Sequence, residues 1–148
     1  MKKILSLLAA LLVFLPGVAR GTCTITYDDS GSPVQTLLFT CVTDTTGSAT
    51  ITGVTSRPVR GWVFQAETNP GTEAPTDDYD IVLNDAAGAD VFNGALANRD
   101  TANTELAWPL IGTIPTRSFV EGTLSIVVTN NSVNNAAFTL KVWLLREQ

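Results

Sequence analysis

The sequence predicts an all-β protein: one antiparallel β-sandwich of about seven to nine strands, jelly-roll-like or immunoglobulin-like, over residues 20–148. Three observations lead there. Short strand-like runs recur along the chain, and clusters of glycine, proline, asparagine and aspartate break them at short intervals. The 148 residues carry 45% hydrophobic and 16% charged side chains, enough to fill one core and too few charges for a disordered chain. No repeat, low-complexity tract or linker divides the sequence, so a single domain is expected.

Residues 1–19 read as a signal peptide. Lys2 and Lys3 supply a basic start, Ile4 to Leu15 an apolar run, and Pro16-Gly17 a helix breaker before small residues. The run of twelve residues falls short of the roughly 20 that a stable membrane anchor needs. Cleavage after Ala19 would leave Arg20 first, and cleavage as late as Gly21 would leave Thr22 first. Arg20-Gly21-Thr22 before Cys23 lacks the pattern of a lipoprotein site. An exported protein, periplasmic or extracellular, is therefore expected. Removing Lys2 and Lys3 leaves seven basic residues against fourteen acidic ones, which moves the net charge from −5 to −7. Such a surface repels phosphates and anionic membranes, so neither nucleic acid nor a membrane surface is expected as a partner.

The elements follow in order. Cys23 to Tyr27 alternates apolar and polar side chains, and Asp28 to Pro33 has turn chemistry. Val34 to Val42 is a second strand. A hairpin across that turn brings Cys23 close to opposite Cys41, and in an oxidising compartment the two form a disulfide. Ser48 to Val54 and Val59 to Thr68 are the next strands, followed by turns from Asn69 to Asp78. Tyr79, Ile81 and Leu83 share one face of a strand; Asn84 to Gly88 is a tight connection into Ala89 to Phe92. Asn93 to Glu105 is a long loop with room for one helical turn. Leu124, Ile126 and Val128 alternate with polar residues, and after the turn Asn130 to Asn135 so do Phe138, Leu140, Val142 and Leu144. The expectation is a half-buried hairpin over Val120–Leu145 that closes the sandwich, with Lys141 and Trp143 on its outer face.

Chemistry has little to work with. The chain has no histidine, which removes the commonest general base and metal ligand, and with it every serine–histidine arrangement. Asp77, Asp78, Asp80, Asp85 and Asp90 are the only concentrated reactive groups. A carboxylate pair among them would suit glycoside hydrolysis, but their places beside turns suit backbone capping better. Calcium on Asp85 and Asp90 is the one metal reading, although the segment lacks the alternating oxygen ligands of an EF-hand. No other cofactor is expected, and the protein is not expected to be an enzyme. Among the aromatics, Trp62 and Phe64 share a face of an apolar strand and read as core. Trp108 before Pro109 is ambiguous, and Trp143 is placed outside by alternation.

Three segments carry a family resemblance: Phe39-Thr40-Cys41-Val42-Thr43-Asp44-Thr45-Thr46-Gly47-Ser48-Ala49, Pro75-Thr76-Asp77-Asp78-Tyr79-Asp80-Ile81-Val82-Leu83-Asn84-Asp85, and Gly88-Ala89-Asp90-Val91-Phe92-Asn93-Gly94 running on to Asn98-Arg99-Asp100. Their order resembles small β-rich proteins encoded by tailed phages and prophages. The resemblance implies a virion-associated, decoration-type structural role, oligomeric and without catalytic residues. The expected function is thus a structural or interaction protein of a virion or extracellular assembly, with itself or another structural protein as partner. The candidate interface residues are Trp143, Lys141, Trp108 and Arg99. The alternatives are an exported carbohydrate-binding or adhesin-type module for function, and the virion for location.

Overall fold

The computed structural model describes residues 21–30, 33–45 and 51–147. The expected signal peptide and the start of the Ser48–Val54 strand lie outside those residues. Among the described residues the chain forms eleven strands and no helix. They are β1 (Thr22–Asp28), β2 (Val34–Val42), β3 (Ile51–Thr55), β4 (Val59–Pro70), β5 (Asp80–Asn84), β6 (Glu105–Ala107), β7 (Leu110–Ile111), β8 (Ile114–Pro115), β9 (Ser118–Gly122), β10 (Ser125–Thr129) and β11 (Ala137–Arg146). A six-stranded sheet runs β1-β2-β11-β4-β6, with β9 also paired to β4, and a three-stranded sheet runs β3-β10-β5. Every pairing is antiparallel. The protein is an antiparallel β-sandwich.

Period-two patterning builds the core between the sheets. Leu37, Phe39, Leu140, Val142 and Leu144 point inward from the large sheet; Ile51, Ile81, Leu83, Ile126 and Val128 point inward from the small one, all essentially without exposure. Each such side chain contributes about 1.5–3 kcal/mol by leaving water. Tyr79 packs on Phe138 with ring centroids 5.5 Å apart. Burial pushes its phenol well above the ordinary tyrosine range. Cys23 pairs with Cys41 in the β1–β2 register, and the two sulfurs are bonded.

Three expectations need correction. The segment Val120–Leu145 is not a hairpin, because β10 pairs with β3 and β5 while β11 pairs with β2 and β4. The alternation correctly turns both strands inward, but they face each other across the core instead of lying side by side. Asn131 fastens the crossing: its Oδ1 accepts from the Thr76 amide at 2.8 Å, and its Nδ2 donates to Val133 O. Second, Asn93 to Glu105 contains turns but no helix, and its last residue already opens β6. Third, Trp62 is 40% exposed, while its neighbours Gly61 and Val63 are buried. Gly61 explains the choice of face: a Cβ there would collide with the Leu145 carbonyl, so β4 turns its narrow side inward and its tryptophan outward.

Candidate functional site

The outer edge of β4 is shared by two strands. β6 covers Ala66 to Thr68, and β9 covers Val59 to Val63. Between them the chain leaves the sheet at Trp108 and returns at Ser118. The excursion is a small hairpin, β7–β8, whose base is closed by the Thr116 amide donating to Pro109 O at 2.8 Å. Gly112, at φ 63°, supplies the positive φ that a two-residue hairpin turn demands. Opposite the gap, β4 carries a bulge: Trp143 pairs with Gln65 and Leu144 with Val63, leaving Phe64 as the extra residue.

The gap and the bulge together make an open groove of about 760 Å³, lined by Trp62, Phe64, Trp108, Arg117, Leu145 and the hairpin root Pro115-Thr116. That volume lies in the range of ligand-binding pockets, roughly 300–1,000 Å³. Trp62 stacks edge-on against Phe119 at 5.2 Å between centroids, which fixes the indole. Trp108 is 44% exposed. Beyond the groove, Ile111 and Ile114 stand out at the hairpin tip, 71% and 69% exposed.

Arg117 is the electrostatic feature of the groove. Among the described residues Arg57, Arg60, Arg99 and Arg146 form ion pairs with carboxylates, and Lys141 Nζ lies 4.8 Å from the Trp143 ring centroid. Arg117 alone among these cations has no such partner, in a chain with fourteen acidic residues.

The four candidate interface residues do not gather in one place. Trp108 lines the groove. Trp143 and Lys141 do share the outer face of β11, as expected, but both are half-buried and covered partly by each other. Arg99 works inward: its side chain is 13% exposed, donates to Ala97 O and pairs with Glu105 at 3.5 Å. The aspartates serve turns. Asp85 Oδ1 accepts from the Ala87 and Ala89 amides, and Asp90 accepts from Phe92 and Gly94. Asp80 accepts from the Asn98 amide. Hydrogen bonds from Asn103 and Ala102 hold Asp100 below the usual carboxylate range. Among the described residues no three potential metal ligands come together.

The opposite edge of the large sheet is β1. Its seven register pairs with β2 run without a shift, and it contains no proline or lysine. The Cys23 and Cys41 Cα atoms are 4.0 Å apart, the spacing of a non-hydrogen-bonded pair. Cys23, and with it Ile25 and Tyr27, therefore turn their backbone N–H and C=O groups away from β2, toward the open side. Asp28 and Asp29 close this edge: bonds from Ser30 hold Asp28, and bonds from Arg57 and Gln35 hold Asp29, below the usual carboxylate range.

A scan against protein-family models and searches of curated proteins and of solved structures find no match to this chain.

Proposed function

We propose that this chain is a non-enzymatic structural protein of a virion or extracellular assembly, and that it associates with a second copy of itself through the open edge of β1. One observation carries the reading: among the described residues no strand pairs with the outer side of β1, although β3 lies near it, whereas the other sheet edges are blunted. Along β5, the backbone of residues 91–99 bonds to Tyr79, Ile81 and Leu83. β3 is short, contains Gly53 at φ 75°, and bulges by one residue against β10. The β6–β9 edge is cut in two. Proteins that remain monomeric blunt such edges with charge, proline or bulges, and β1 has none of these along residues 22–27.

The chemistry of β1 fits an antiparallel copy. Pairing about Ile25 sets Thr24 opposite Thr26 of the second copy and Asp28 opposite Thr22, so the acidic ends stay apart in a protein of net charge −5. The disulfide points to a non-reducing environment and supports export. Among the described residues, no helix is long and apolar enough to cross a membrane.

Sedimentation of the native protein tests this. The expected result is a dimer that Thr24→Lys or Thr26→Lys converts to monomer without loss of folding. A monomer up to roughly 1 mM, the affinity of a contact worth about 4 kcal/mol, overturns the proposal. So does a dimer indifferent to both substitutions.

A further inference from the structure

We infer that the groove between β6 and β9 binds a carboxylated saccharide. The site lies at the edge of the sheet opposite β1 and stands independently of self-association.

The argument starts from the walls. Trp62, Phe64 and Trp108 offer aromatic faces in an open groove, not an enclosed cavity. Indole faces attract the C–H faces of a sugar ring, and each indole N–H can donate to a hydroxyl. An open groove leaves the rest of a polar chain in water, whereas a small apolar ligand needs burial of most of its surface. Thr116 adds a hydroxyl at the rim.

Charge then narrows the class. Arg117 is the one cation among the described residues without a carboxylate or ring partner, and it lines the groove. A guanidinium fork matches a carboxylate in two parallel hydrogen bonds. In a protein of net charge −5, a polyanion such as nucleic acid is repelled overall, while one carboxylate per binding unit meets one local cation. The rigid frame suits recognition: Phe119 braces Trp62, and the Thr116–Pro109 hydrogen bond fixes the root on which Arg117 follows.

The test titrates the native protein with methyl galacturonide and with sialyllactose, each carrying one carboxylate, following tryptophan fluorescence. The neutral controls are methyl galactoside and lactose. Quenching by one or both acidic probes is expected, and which one responds separates a uronate from a sialate site. Arg117→Ala should weaken the acidic probe roughly ten- to hundredfold, the worth of a charge-assisted pair, and leave the neutral control unchanged. Arg117→Lys should recover part of the loss, and Trp108→Ala should abolish the response. Both positions are exposed, and unchanged thermal melting confirms that the variants fold. No quenching by either acidic probe up to roughly 10 mM overturns the inference. Equal binding of acidic and neutral probes, or a Trp108→Ala effect on sedimentation alone, overturns it as well.

Discussion

β1 and the β6–β9 pair bound the same six-stranded sheet, yet one is a seven-residue ladder without a break and the other is two pieces, of three and five residues, set apart by a hairpin. At β1 the regular ladder leaves backbone groups available and side chains small, with threonine at every outward position up to Asp28. At β6–β9 the ladder is interrupted, and the interruption exposes rings. A regular edge recognises another strand through the backbone, whereas an irregular edge recognises shape and chemistry through side chains. The partners proposed for the two edges differ accordingly.

The largest expected effect strikes the regular edge. Replacing both cysteines, Cys23→Ser with Cys41→Ser, removes a crosslink spanning 18 residues and should cost about 3 kcal/mol in chemical denaturation. The same double variant should fray β1 and weaken self-association, leaving fluorescence quenching at the groove intact. Equal loss at both edges would break the contrast.

Acid should act next, and on the same edge. Asp28 and Asp29 are held below the ordinary carboxylate value by hydrogen bonds from Ser30 and from Arg57 and Gln35. Their contribution is complete above the unfolded value near pH 4 and disappears as pH falls through the lower folded values. The melting temperature should drop as pH falls below about 4, and Asp29→Asn should flatten that drop. A slope unaltered in the variant would assign the acid response elsewhere.

The smallest effect belongs to the hairpin tip. Ile111→Ser with Ile114→Ser should change stability by no more than about 0.5 kcal/mol, because both side chains already stand in water. A loss of several kcal/mol in thermal unfolding would show that the excursion braces the sheet.

Much of the regular edge was legible in the sequence, and little of the irregular one. Alternation in Cys23–Tyr27 and Val34–Val42 predicts both the pairing and the cysteine contact, because a two-residue period leaves only two faces to choose from. The same rule turns Tyr79, Ile81 and Leu83 inward. Alternation assigns a face but not a neighbour, so it could not reveal that β10 and β11 belong to different sheets. On β4 the bulk of Trp62 and Phe64 suggests core, while the decisive signal is Gly61, whose lack of a side chain admits the Leu145 carbonyl. Arg117 carries no signal as a site until the partners of the other cations are known. The hairpin did leave one: Pro109 and Pro115 bracket Gly112, punctuation for a turn too short to register as a pair of strands.

That hairpin leaves and rejoins the fold where the Thr116 amide donates to Pro109 O, with Asn93 Nδ2 donating to Leu110 O beside it. A segment whose ends already meet can be exchanged for a longer one at a closure cost that grows only slowly with length. The protein is therefore a natural display scaffold. A foreign peptide grafted between Pro109 and Thr116 would be held by a rigid sandwich at the side away from β1, and copies joined edge to edge would present it in pairs, pointing outward at both ends.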